Sequence, residues 1–281
     1  MSGPDVSVSD FIRIADILAH AGIRDLDILG GEPVLHPALM TLVDIACSKR
    51  FRVSLSSNAS DLDLLKTMSS RFDRSSLQIG ISLNAPRIDG RLFSFIRDTR
   101  PMLKSVCTSK SFLPAYAPEL LALSDVRYYA IFMDTMSEAD LDDSLSFPEF
   151  HEKLDELRAS YANLERVYCS GFIPAPGDCQ DLAAVRCPAG SAKLSIMPDG
   201  SVYPCYLLFS RPEYKLGNIL TVGFQDLIHS PILKWFRTFR GSECPFLKCE
   251  LHSNCHGGCP AVSLLVSGHI DAPDPRCRIL A

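Results

Sequence analysis

Apolar residues recur along the first 130 positions with two alternating periods. Phe11, Ile14, Ala15 and Leu18 fall at i, i+3, i+4 and i+7, the spacing of one helix face over 9–21. Ser9 suits its N-cap and Gly22 its end. Asp25–Leu29 then reads as a short strand running into Gly30-Gly31-Glu32-Pro33. Pro37 fits the first position of a second helix, whose buried face is Leu39, Leu42, Val43 and Ala46. Lys49 and Arg50 suit its C-terminal end. The pattern repeats, with a strand over Phe51–Leu55 ending in Ser56-Ser57-Asn58 and a helix carrying Leu62, Leu65 and Met68. A strand over Leu77–Leu83 ends near Asn84, and a helix includes Leu92–Ile96. Lys104–Thr108 and Val126–Phe132 are further strands.

Strands alternating with helices over short links predict an α/β fold with a parallel sheet or partial barrel. In such folds ligands bind at the carboxyl ends of the strands. Gly-Gly-Glu-Pro, Ser57-Asn58 and Ser82-Leu83-Asn84 all fall there. Two glycines let the backbone approach a ligand, Glu32 can accept from an ammonium, and Pro33 stiffens the exit. A tight strand-to-helix turn with no ligand has the same sequence.

The pattern changes in the last hundred residues, which hold seven of the eleven cysteines. Cys187-x12-Gly200-x4-Cys205 is followed by Cys244, Cys249, Cys255, Cys259 and Cys277. Leu194–Ile196 and Ser201–Tyr203 flank Pro198-Asp199-Gly200, a hairpin turn that would carry Cys205 back toward Cys187. Thiolates this close converge on soft metal, and a set this large can hold two iron–sulfur clusters. Zinc is the chemical alternative, although four-thiolate zinc sites usually show closely spaced pairs. Cys47 and Cys107 lie within predicted elements and read as core, while Cys169 stays unassigned. His252 and His256 lie among the ligands without being needed. Tyr128, Tyr129 and Tyr203 read as packing residues.

Composition narrows the field. Apolar residues make up 47% of the 281, enough for a packed core, and the net charge is −5. No basic stripe marks a nucleic-acid binder. The acidic stretch from Asp134 to Glu156 reads as solvated surface. No run of eighteen apolar residues predicts a membrane span, and the first twenty residues lack the form of a secretory signal. Cysteine usage of this kind suits a reducing, cytoplasmic setting.

Together these motifs resemble a radical S-adenosylmethionine (SAM) protein with a C-terminal SPASM domain. The resemblance implies a partial (β/α) barrel over 1–170 that lacks the family's first strand, then a small cysteine-rich domain over 171–281. Gly30, Gly31, Glu32 and Pro33 look like the motif that holds the methionine amino group of SAM. Asn58 and Ser82 match strand-end polar contacts to the cofactor; Asn84 stands where an acidic residue is common. In the family's connectivity Cys187, Cys205 and Cys259 hold a first auxiliary [4Fe–4S] cluster, with Cys179 as a further ligand. Cys244, Cys249, Cys255 and Cys277 hold a second. The four residues between Cys244 and Cys249, where two are usual, depart from the pattern.

The family's catalytic cluster needs Cys-x3-Cys-x2-Cys after its first strand, and these 281 residues contain no such triad. Only eight residues precede the helix at Ser9, which reads as a deletion that leaves an unpaired sheet edge beside Asp25–Leu29. Three expectations follow. A natural short relative would be a cluster-bearing binding or electron-transfer partner of a full-length radical SAM enzyme. A start lying downstream of the true one would make the protein a radical SAM enzyme that modifies a peptide or small protein. The third is a zinc-bound structural protein.

Overall fold

The structure is a computed structural model that describes residues 5–123, 125–169, 187–238, 244, 248–250 and 257–277. Six parallel strands form the main sheet: β1 (Asp25–Ile28), β2 (Arg52–Ser57), β3 (Leu77–Ser82), β4 (Met102–Cys107), β5 (Tyr128–Phe132) and β6 (Leu164–Val167). They lie side by side in chain order. The connecting helices are α1 (Val8–His20), α2 (Leu39–Ser48), α3 (Leu62–Arg71), α4 (Gly90–Thr99), α5 (Ala117–Leu121) and α6 (Phe147–Arg158). Right-handed crossovers that always step in the same direction place their helices on one face of the sheet. One continuous core lies between that face and the helices, from Phe11, Ile14 and Leu18 of α1 to Phe147, Phe150 and Leu154 of α6. Among the described residues the opposite face has a small apolar cluster of Tyr129, Ile131 and Val167 with Met102. This one-sided arrangement is the partial barrel expected from the alternation.

The predicted elements are present with shifted ends. Helix α1 is capped by Ser7, whose hydroxyl accepts from the Asp10 N–H, rather than by Ser9. Starting the helix two residues earlier lets Ser9 continue it. Pro37 does not open α2; a 3-10 turn over Pro33–Leu35 intervenes, and α2 begins at Leu39 after Ala38. The Glu32 carboxylate caps that turn, accepting from Val34 N–H at 3.4 Å. Among the described residues β1 is paired only with β2, and its side chains alternate between exposed and half-buried.

A second sheet follows: β7 (Ser195–Ile196), β8 (Ser201–Tyr203) and β9 (Gly217–Asn218), all antiparallel. The Pro198–Gly200 turn closes the predicted hairpin. Gly200 has φ +83°, and a Cβ there would lie 2.7 Å from Asn218 Oδ1, so glycine is required. Helices α7 (Phe224–Ile228), α8 (Pro231–Thr238) and α9 (Pro260–Ser267) complete the described part. The two faces of β8 serve two cores. Val202 joins the barrel-side core with Ile219 and Leu227, and Arg13 of α1 donates to Leu220 O at 3.1 Å. Tyr203 faces a separate core of Cys205, Leu208, Phe236, Ala261 and Val262. Among the described residues no helix is long and apolar enough to cross a membrane.

Candidate functional site

All six strands of the main sheet are parallel, so their carboxyl ends share one rim. Gly30–Pro33 leaves the end of β1 and Asn58 the end of β2. Glu32 ties the two together, accepting from Ser57 Oγ at 2.6 Å and from Asn58 N–H at 2.7 Å. At Gly30 and Gly31 an added Cβ would meet no protein atom within 4 Å. The turn therefore leaves open space beside its backbone, next to a half-buried carboxylate, which suits a ligand bearing an ammonium. Asn58 spends its Oδ1 on the Ser60 N–H, and Asn84 spends its own on the Val106 N–H. Ser82 stands in register with Lys104 on the helix-free face.

Lys104 escaped sequence reasoning, although a lysine inside an otherwise apolar strand is the signal that would have found it. It is buried, bonds to Ser56 Oγ, and is in register with Tyr129. Burial lowers its ammonium to a pKa of about 8, against the pull of Asp27 and Glu32. The helix-free face thus has a polar half, with Asp27, Ser56, Ser82 and Lys104, and an apolar half around Met102, Tyr129, Ile131 and Val167.

The cysteine-rich part closes on this same rim. Arg276 is buried, pairs through two nitrogens with the buried Asp274 carboxylate, and donates to Met133 O at 2.6 Å just beyond β5. Its guanidinium lies 4.4 Å from the centre of the Phe132 ring. Asp274 also accepts from the Cys259 N–H at 2.7 Å. Tyr206 donates to Asp134, after β5. Cys205 is buried, and Cys187, Cys259 and Cys277 are half-buried. Burial pushes the Cys205 thiol up to about 12 and the Cys259 thiol well above its ordinary value. Cys259 lies within electrostatic reach of Cys187 and Cys205, so these three thiols form one group.

None of the nine described cysteines is in a disulfide. Thiols gathered in this way are a donor set suited to soft metal. Cys244 and Cys249 are half-buried. Cys179 and Cys255, with His252 and His256, lie outside the described residues. Cys107 is fully buried beneath the sheet with its thiol raised to about 12 by burial, a packing residue as expected. Tyr128 and Tyr203 are core residues, and Tyr129 lines the small cluster on the helix-free face.

The chain has the α/β fold of radical SAM enzymes, followed by a C-terminal part that matches the SPASM domain. Residues 187–260 match the SPASM family, an iron–sulfur cluster-binding domain. Among curated relatives, the antilisterial bacteriocin subtilosin biosynthesis protein AlbA of Bacillus subtilis is 25% identical over 280 residues, covering 90% of this chain. The PqqA peptide cyclase of Methylocella silvestris is 30% identical over 99 residues, 33% of this chain. The chain spans 60% of the length of AlbA and 26% of that of the cyclase. Among solved structures, Streptococcus suis SuiB bound to its precursor peptide SuiA superposes with a TM-score of 0.70 at 17% identity, covering 99% of this chain and 70% of SuiB. The enzyme anSMEcpe with bound S-adenosylmethionine gives 0.68 at 16% identity, covering 97% and 82%. At these identities the two structures establish the shared fold.

Proposed function

We propose that this protein acts in radical SAM peptide modification, holding SAM on the barrel rim and two auxiliary [4Fe–4S] clusters in the SPASM domain. The observation that carries the reading is the gathering of Cys187, Cys205 and Cys259 against the end of β5, on the rim that also bears Gly30–Glu32. In this reading Glu32 accepts from the ammonium of SAM, the open backbone at Gly30 and Gly31 admits its methionine end, and Lys104 supplies positive charge toward its carboxylate. Pro33, Asn58 and Ser82 shape the rest of that pocket. Cys187, Cys205 and Cys259 belong to the first cluster; Cys244, Cys249, Cys255 and Cys277 belong to the second. Bound clusters would supply one-electron transfer. The protein's own contribution is to hold them in a dry site beside the rim. AlbA is named for bacteriocin biosynthesis, the second relative for a peptide, and SuiB was solved with its precursor peptide. Those names support a peptide substrate, and the cysteine usage supports a reducing, cytoplasmic setting.

SAM cleavage belongs to a separate cluster whose cysteine triad is not among these 281 residues. The test follows from that division. Labelled SAM in equilibrium dialysis should bind the wild-type chain, and Glu32→Gln should weaken binding about tenfold, roughly 1.4 kcal/mol. With reductant, the 281 residues alone should release no 5′-deoxyadenosine. Unchanged binding by Glu32→Gln counts against the assigned SAM site, and robust 5′-deoxyadenosine against the division of labour.

A further inference from the structure

One cysteine stands beside the first thiol group although its spacing does not place it there. Cys169 follows β6 at the carboxyl rim of the sheet, two residues after Val167. Lys193 lies on the turn between Cys187 and β7, where Ala189 and Lys193 form a bridge. Its ammonium donates to Cys169 Sγ at 3.2 Å and sits 5.3 Å from the centre of the Tyr206 ring. The same ammonium is within electrostatic reach of Cys187 and Cys205, and Cys205 is within reach of both Cys169 and Cys187. Cys169, Cys187 and Cys205 thus share one half-buried cation, and Cys259 adjoins the last two.

The chemistry of that arrangement is specific. Drawing an ammonium out of water is costly unless anionic partners face it. Neutral thiols are weak acceptors and supply no charge. The Asp27 carboxylate is also within electrostatic reach of this ammonium. Its hydrogen-bonded partner, however, is the Cys169 sulfur, where a thiolate supplies both acceptor and charge. Thiolates persist in a dry site when a metal holds them. Cys107, by contrast, is a core thiol beneath the sheet with no cation hydrogen-bonded to it. From this we infer that Cys169 is the fourth thiolate ligand of the first cluster, with Lys193 donating to its sulfur from outside the cluster. The inference rests on the reading that Cys187, Cys205 and Cys259 hold iron and sulfide. It replaces Cys179, the ligand implied by resemblance, with a residue of the barrel rim. The first cluster then joins the two parts of the molecule.

The test compares the wild-type chain, Cys169→Ala, Cys179→Ala and Lys193→Gln after anaerobic reconstitution. Mild oxidation of Cys169→Ala should release one iron from the first cluster and give the electron paramagnetic resonance signal of a [3Fe–4S] species. Cys179→Ala should behave as wild type. In a redox titration Lys193→Gln should move the first cluster to a more negative potential, because reduction adds negative charge that the lysine no longer offsets and one hydrogen bond to sulfur is gone. That variant keeps the inference open to refutation even where Cys169→Ala folds poorly. A [3Fe–4S] signal from Cys179→Ala instead of Cys169→Ala would overturn the assignment, as would an unshifted potential in Lys193→Gln. Failure of the wild type to take up iron and sulfide would instead overturn the cluster reading itself, and this inference with it.

Discussion

Two residues show how local chemistry sets the rim. Gly258 has φ +88°, and a Cβ placed on it would fall 1.9 Å from the Asp274 Cβ, on the carboxylate that receives the Cys259 N–H. Gly258→Ala should therefore destabilise the protein by about 1–3 kcal/mol or more through overpacking, seen as a lowered Tm, and should reduce iron uptake in parallel. An unchanged Tm would mean that the Asp274 contact is not rigid. Lys104 behaves in the opposite sense. Its pKa is about 8 when folded against 10.5 for the ordinary side chain, so the unfolded chain binds more protons between those values. The cost of burying its charge is full below pH 8 and fades as pH rises toward 10.5. Lys104→Met should raise stability in urea titrations near pH 7, with an advantage that shrinks across that window. A constant difference would mean that the charge is not the cause.

Elements differ in how openly the sequence displayed them. The helix faces of α1 to α4 and strands β1 to β5 follow from the 3.6- and 2-residue periods, because each buries one side against a single core. The SPASM hairpin followed from Pro198-Asp199-Gly200, whose geometry a glycine alone satisfies. What escaped depends on which of several local caps is used and on contacts across long sequence separations. The ends of α1 and α2 were set by Ser7 and by the turn that Glu32 caps, not by the nearest favourable residue. Arg276 sits beside Cys277, yet nothing local announces that it reaches Met133, 143 positions earlier. That pair fastens the C-terminal segment to the end of β5. Arg276→Met would leave Asp274 buried without its cation and should cost ~3–5 kcal/mol; adding Asp274→Asn should recover part of it. Chemical denaturation of the two variants checks this, and a loss of under about 1 kcal/mol in Arg276→Met would show that the segment is held by other contacts.

At the scale of the whole molecule, the half-barrel carries its main core on one face, and the cysteine-rich part meets its rim through Arg276, Tyr206 and Lys193. The sequence motifs suggested cofactors separately for each half; in the structure Gly30–Glu32 lies at the strand ends, and the segment after Cys259 is tied to the end of β5 through Arg276. Gly-Gly-Glu-Pro and the cysteine order stand out in the sequence, and a lysine inside an apolar strand marks Lys104, whereas the place of Lys193 emerges only when a turn and a strand end from distant positions meet. The account depends above all on the thiols holding iron and sulfide, not zinc. Anaerobic iron, sulfide and zinc analysis of the reconstituted 281-residue chain tests this most directly. Two [4Fe–4S] clusters predict about eight irons and about eight sulfides per chain; near-zero iron and sulfide with stoichiometric zinc would contradict the account.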